Sequence, residues 1–335
     1  MATISDIAKR CHCSTTTVSK VLNNSGSISD EKTKEILEVA RELKYVRNNS
    51  ARTLASSNKS SSLIGIILHI NEDKSITHEL FSNILNYFRI EMEKHDFDIC
   101  FLRHLEEDSP YEYEDFINAK GIDGVFILSA DITLKKIQNL IHSDIPVVGF
   151  DLPYAKYTVS SDNKEAVASM VDYLVSLGHR SICYVAPKDI GVAYERKLGF
   201  LEGLKRNNIP PDDRMIVTAP FYSSESAKIA TDLALSSGIS PTAIMYPDDY
   251  TAISAIPYLR SLGLKVPLNI SITGFDGVEI AAVMRPVIAT SRQDVKNIAI
   301  EAAKLLLKQI SKTEIDEPHI VVKTTLIVGD SAKKI

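Results

Sequence analysis

From residue 62 onward, strand-length runs of Val, Ile and Leu alternate with helix-length amphipathic segments, and this rhythm restricts the possible folds more than any other feature of the chain. The runs are Leu63 to Leu68, Ile99 to Leu102, Val125 to Leu128 and Val147 to Phe150, then Ile182 to Val185, Ile216 to Thr218, Ala243 to Tyr246 and Ile270 to Gly274. Continuous apolar runs with helices between them indicate parallel strands buried on both faces, since a sheet wetted on one side would alternate apolar with polar. Two sets of four runs predict two α/β lobes. A chain of 335 residues is also longer than one ordinary core supports, so a small module ahead of a larger two-lobed body is the expected organisation.

Ligands of parallel sheets bind beyond the carboxyl ends of the strands. Polar residues gather there: Asp151 after the fourth run, Arg196 in the helix after the fifth, Tyr222 after the sixth, Asp248 and Asp249 after the seventh, Asp276 after the eighth. One Asp after a strand is commonly a helix cap and one Tyr commonly core, but convergence of several at one sheet edge points to a binding site. The chemistry of catalysis is missing from the pattern. There is no phosphate-cradling glycine loop, no Gly-x-Ser-x-Gly elbow, and His78-Glu79 lacks a second histidine. No catalytic residue, metal or cofactor is therefore expected.

The first sixty residues have a different character. They hold ten Lys and Arg against six Asp and Glu, +4, whereas the remainder holds 28 against 37, −9, so a polyanion would be attracted to the N-terminal end alone. Thr3 with Asp6 reads as a helix cap with a capping-box partner, followed by Ile4, Ile7, Ala8 and Cys11 at helical spacing. Ser14 caps a second helix, with Val18, Val21 and Leu22 inward and Thr15, Thr16, Ser19, Lys20 and Asn23 outward. A third helix starts from a cap at Ser29 and carries Thr33, Ile36, Leu37, Ala40 and Leu43 on its buried stripe, with acidic residues in its first turn. The outer face of the second helix is short and polar, and hydroxyl and amide side chains reach phosphates and base edges without filling the major groove. On spacing alone, Thr15 to Thr17 could equally cap and solvate a surface helix. Cys11-His12-Cys13 is no metal site, since three adjacent residues cannot all face one ion.

In one ordered set, Thr3, Asp6-Ile7-Ala8, Thr17-Val18-Ser19-Lys20-Val21-Leu22-Asn23, Ser29, Tyr45 and Ala51-Arg52-Thr53-Leu54 resemble the DNA-binding segment of the LacI/GalR family of bacterial regulators. The resemblance continues through Leu177-Gly178-His179-Arg180, Arg196 with Gly199-Phe200, Pro241-Thr242-Ala243-Ile244, Val266-Pro267 and Gly274-Phe275-Asp276. It implies an all-α helix-turn-helix DNA-binding domain over 1–47, a hinge helix and linker over 48–62, and an α/β periplasmic-binding-protein-like domain of two Rossmann-like lobes over 63–335. The lobes would run about 63–160 with 292–324, and 161–291 with 325–335. By the same resemblance Thr15, Thr16 and Lys20 read bases, and Ser14, Thr17 and Ser19 grip phosphates, with Asn23 and Arg52 beside them. Leu54 of the paired hinge helices wedges into the minor groove. Leu54 as plain linker packing is the competing reading. Phe81, Asp151, Arg196, Tyr222, Asp248 and Asp276 fall on effector-contacting positions.

Four positions depart from the family pattern. Lys20 stands where arginine is usual, which replaces a bidentate guanine contact by a point charge. His12 stands where the turn commonly has glycine, Arg47 where proline is common, and Asp248 where asparagine is usual. Carboxylates and a guanidinium around an aromatic face suit a sugar, whose hydroxyls need acceptors and donors and whose C–H faces need stacking. The function implied is a repressor whose operator affinity is set by a sugar or sugar derivative between the lobes, released from DNA by an inducer. Control by a phosphocarrier protein partner is the alternative, against which Arg196 argues.

One short recognition helix covers few base pairs, so a homodimer on a near-palindromic double-stranded site is expected. The apolar run Thr325 to Val328 is followed by too few residues for a tetramerising coil, which favours the dimer. No run approaches a membrane span, the first residues are polar and unlike an export signal, and four cysteines lack paired spacing. A cytoplasmic protein is the expectation.

Overall fold

Three helices make the first unit: α1 (Ile4–Arg10), α2 (Thr15–Leu22) and α3 (Asp30–Glu42). The computed structural model describes residues 3–22, 28–43, 62–69, 76–187, 191–219 and 224–335, and its packing divides the chain into Met1–Ser61 and Ser62–Ile335. The capping box at α1 forms: Thr3 Oγ1 accepts from the Asp6 N–H at 3.3 Å, and the Asp6 carboxylate accepts from the Thr3 N–H at 2.8 Å. Ile7, Ala8, Cys11, Val18, Val21, Ile36 and Ala40 are the shared core. The stripe of α3 is rotated from its expected centre, because Val39 packs against this core while Leu37 is 40% exposed. Ser29 occupies the N-cap of α3 but its side chain makes no capping bond. The stretch 48–61, with the expected hinge helix, lies outside the described residues.

The first lobe runs β1 (Leu63–Leu68), α4 (Glu79–Glu93), β2 (Asp98–Phe101), α5 (Tyr113–Lys120), β3 (Gly124–Ser129), α6 (Lys135–Ile141), β4 (Val147–Phe150) and β5 (Thr158–Ser161). The second runs α7 (Asn163–Ser176), β6 (Ile182–Ala186), α8 (Val192–Arg206), β7 (Ile216–Thr218), α9 (Ser224–Ser236), β8 (Ala243–Met245), α10 (Asp249–Ser261), β9 (Ser271–Thr273), α11 (Glu279–Val283) and β10 (Thr290–Arg292). The chain then returns to the first lobe with α12 (Val295–Ile310) and β11 (His319–Val322), and crosses a last time to place β12 (Thr325–Ile327) antiparallel to β10.

The sheets are parallel, ordered β11-β5-β4-β3-β1-β2 and β7-β6-β8-β9. The first therefore has six strands, where four apolar runs were visible. Alternate residues of β1 serve opposite cores, as the two-residue period of a strand requires. Ile64, Ile66 and Leu68 pack with Phe88 of α4, Phe126 of β3 and Leu306 of α12, whereas Ile67 packs with Tyr113 and Ile117 of α5. The second sheet is sandwiched in the same way, by α9 and α10 on one face and α7 and α8 on the other. Where α4 begins, the lobes touch: the His78 ring meets Tyr250 edge-on at 5.0 Å, and Glu79 Oε1 accepts from the Glu279 N–H at 2.6 Å. No helix among the described residues is long and apolar enough to cross a membrane.

Candidate functional site

Two surfaces carry the chemistry, one in each unit. On α2, Val18 and Val21 are buried, and Thr15, Thr16 and Lys20 are exposed on the opposite side. Ser14 Oγ accepts from the Thr17 N–H at 3.0 Å and lies 2.9 Å from Thr17 Oγ1, so these two hydroxyls start the helix and are not wholly free for another partner. The turn before α2 passes through His12 at φ 47, the left-handed region that favours glycine. Lys32 Nζ fastens that turn to α3 by donating to the Cys11 carbonyl at 2.6 Å. Cys11 itself is core, and burial pushes its thiol upward. Among the described residues no group of three or more His, Cys, Asp or Glu could hold a metal ion. Asn23, Arg52 and Leu54 lie outside the described residues.

The second surface is a cavity of about 410 Å³ between the lobes. Phe81 of α4, the segment Ser129–Thr133 at the end of β3 and Asp151 after β4 line it from the first lobe, and Gly191, Val192 and Arg196 from the second. Arg196 is the hub. Its Nε donates to Asn163 Oδ1 at 2.8 Å and its Nη1 to the Pro247 carbonyl at 3.3 Å, while Nη2 lies 3.9 Å from Asp151 Oδ2. Its guanidinium also sits 3.7 Å over the Phe275 ring, a cation–π arrangement. Asn163 completes the link by donating from Nδ2 to Asp151 Oδ1 at 2.7 Å, and the Ser161 N–H donates to the same oxygen at 3.1 Å. α8 comes this close because of Gly199: a Cβ there would stand 2.2 Å from the Lys164 carbonyl oxygen on α7.

Asp276 completes the arrangement from behind. Its Oδ1 accepts from Gln293 Nε2 at 2.7 Å, and Gln293 Oε1 accepts from Ser161 Oγ at 2.5 Å, which joins the strand ends of the two lobes through one amide. Asp276 Oδ2 is buried and has no hydrogen-bond partner. Asp151 and Asp276 both adopt positive φ, 48° and 103°, directly after β4 and shortly after β9. Non-glycine residues held there cost free energy that the surrounding structure must offset, and such residues cluster at functional sites. Asp249 braces the neighbouring loop, its Oδ2 accepting from the Gly277 and Val278 N–H groups at 2.7 and 2.9 Å. Its other oxygen sits so close to Gly274 that a Cβ there would lie 2.2 Å away.

Burial dominates the electrostatics. It raises Asp151 to about 6 against the pull of Arg196 and Asn163, and raises Asp249 to about 7 against its hydrogen bonds. Asp276 is raised well above the ordinary carboxylate range, chiefly by burial, with Arg196 opposing and Asp249 and Asp248 adding to the rise.

Of the residues read from sequence, Phe81, Asp151 and Arg196 line one cavity, and Asp276 reaches it through Gln293. Asp248 does something else. It caps α10, its Oδ1 accepting from the Thr251 N–H at 2.8 Å and its Oδ2 from Thr251 Oγ1 at 2.7 Å. Tyr222 lies outside the described residues. Asn163 and Gln293 were not anticipated. Each stands just past a strand too polar to be recognised, β5 and β10, so the ends where they stand were not visible as ends.

Comparison with known proteins matches residues 3–48 to the family described as bacterial regulatory proteins, lacI family, and residues 171–332 to the periplasmic binding protein-like domain. The chain is 29% identical over 340 residues to the probable HTH-type transcriptional repressor ExuR of Bacillus subtilis (strain 168), covering 100% of this chain and 99% of that protein. It is 26% identical to the ribose operon repressor of Halalkalibacterium halodurans, covering 99% and 98%. Among solved structures, the lac repressor dimer bound to operator and the anti-inducer ONPF matches with TM-score 0.80 and 22% identity over 99% of each chain. The complex of the regulator CelR with cellobiose matches with TM-score 0.74 and 21% identity over 99% of this chain and 100% of that one. At these identities the structural matches speak for the fold.

Proposed function

Because this chain belongs to the lacI family of bacterial regulatory proteins, we propose that it is a cytoplasmic transcriptional repressor that binds operator DNA as a homodimer and is governed by a sugar or sugar derivative in the cleft between its lobes. The observation that carries the reading is the cavity itself: a buried guanidinium, Phe81 and the left-handed Asp151 around about 410 Å³, in a chain that also holds a helix-turn-helix unit. This is a size and lining that suit a small ligand, with few convergent polar groups among apolar walls. The cleft binds and does not catalyse. Ligand closes or opens the lobes, so that effector and operator affinities are reciprocally coupled, and the inducer lowers the affinity for DNA.

On the DNA side we assign base reading to Thr15, Thr16 and Lys20 and phosphate contact to Ser14, Thr17 and Ser19, with Asn23, Arg52 and Leu54 extending the contact. Support comes from the exposure of Thr15, Thr16 and Lys20 on the polar face of α2. The test is selection of bound sites from random duplex DNA, followed by titration of the selected site. A near-palindrome is expected, and Thr16→Ala or Lys20→Ala should lose about 1–3 kcal/mol of discrimination at one base step per half-site. Recovery of no preferred sequence, or unchanged selectivity in both variants, refutes the assignment. Sedimentation of the protein on that site should give two chains per duplex.

A further inference from the structure

We infer that the cleft is built for an electrically neutral polyhydroxyl ligand and discriminates against acid sugars and sugar phosphates. This rests on the reading of the cleft as a sugar site and goes further, to the charge of the ligand.

Two observations carry it. The first is the use already made of Arg196. An anion such as a carboxylate or phosphate is recognised best by two parallel N–H groups along one edge of a guanidinium. In Arg196 each edge already has one nitrogen engaged: Nε donates to Asn163 and Nη1 to Pro247, while Nη2 lies 3.9 Å from Asp151 and the flat face lies on Phe275. The cation is spent on the protein's own groups, leaving single N–H donors of the kind a hydroxyl oxygen can use. Among the described residues lining the cavity, Arg196 is the one cation, set against Asp131 and Asp151.

The second is what lies behind it. Asp248, Asp249 and Asp276 are buried within the same strand-end cluster, and Asp276 Oδ2 has no donor. The Gln293 amide that lines the cavity in front of them is committed as well, its Nε2 donating to Asp276 and its Oε1 accepting from Ser161, so it holds no free donor for an anion. An anionic ligand brings another acceptor and another negative charge to a place where burial already disfavours the charged forms of Asp151 and Asp276, and its own charge meets the same penalty. In surroundings of low dielectric that penalty, and any repulsion from Asp131 and Asp151 while they are charged, is not screened away.

The test uses the full-length protein and matched triplets of one stereochemistry each: a hexose, its hexuronate and its 6-phosphate, for several hexoses, screened by thermal shift and measured by titration calorimetry. In any triplet that binds, the neutral member should be tighter than both anions by about a hundredfold or more. Asp276→Asn, which removes an ionisable carboxyl and supplies an amide, should narrow that gap by about tenfold. A hexuronate or phosphate bound as tightly as its neutral counterpart overturns the inference and leaves the sugar reading standing. Silence from every triplet overturns the sugar reading itself.

Discussion

Gly199→Ala puts the geometry of the cleft to a direct test. The added Cβ would lie 2.2 Å from the Lys164 carbonyl oxygen and 2.9 Å from its carbonyl carbon, both backbone atoms that no rotamer change can move aside. Ordinary contact between such atoms needs about 3.5 Å, so α8 must retreat from α7 by roughly 1 Å at this turn. One turn earlier, Arg196 Nε bonds Asn163 at 2.8 Å, and the same retreat carries that pair past hydrogen-bond reach. Overpacking costs about 1–3 kcal/mol. Breaking a hydrogen bond to a buried charge adds about 1.5–3 kcal/mol. A loss of roughly 2.5–6 kcal/mol is therefore expected in urea unfolding of the full chain, together with weaker binding of any sugar the parent binds. Gly263→Ala is the control. Its φ is +81° and nothing lies within 4 Å of the new methyl, so it should cost only the left-handed penalty of about 1–2 kcal/mol and leave binding unchanged. If Gly199→Ala unfolds within about 1 kcal/mol of the parent and binds the same sugar equally, the close approach of α7 and α8 does not hold Arg196 in place.

Two further outcomes follow from buried polar groups. Asp249 has its folded pKa raised from 3.8 to about 7, so its contribution to stability is fully present below pH 3.8 and is lost as pH rises through 7. Against Asp249→Asn, the parent should lose up to about 4 kcal/mol more between pH 4 and pH 8 in denaturant titrations, and parallel profiles would remove Asp249 as a titrating group. Ser331 is fully buried, its hydroxyl donating to the Ile272 carbonyl at 2.7 Å and accepting from the Ala289 N–H at 2.8 Å. Ser331→Ala should cost about 1–3 kcal/mol by stranding both groups, and an unchanged midpoint would show that water replaces the hydroxyl there.

The sequence was most legible where one physical force acts alone. The eight apolar runs became strands with boundaries shifted by a residue or two, since burial on both faces leaves no other use for such runs. The α1 capping box was equally plain, because few other arrangements of Thr3 and Asp6 satisfy the same donors. Strands were lost where polar side chains satisfy themselves locally. In β5, Thr158 Oγ1 donates to the Gly149 carbonyl and Ser161 to Gln293, so a segment spelled Thr-Val-Ser-Ser is buried without looking so. β11, at the edge of the six-stranded sheet, alternates half-buried with exposed residues and gives only a faint pattern. The same loss hid Asn163 and Gln293. Asp248 was ambiguous for a related reason: beyond a strand, a cap and a ligand contact look alike until the Thr251 partner is seen.

The threefold passage of the chain between lobes also governs when the protein can fold as it leaves the ribosome. β5 has an open edge until β11 is made, and one face of the first sheet lacks Ile298, Ala302 and Leu306 until α12 is made, both after the whole second lobe. The second lobe in turn waits for β12 and for the Ser331 tie between Ile272 and Ala289. Non-local pairings of this kind delay folding and leave strand edges open to other chains meanwhile. A nascent chain cut short near residue 310 therefore carries two unfinished lobes, not one finished and one missing, and is a substrate for proteases before it can occupy DNA as a regulator deaf to its ligand.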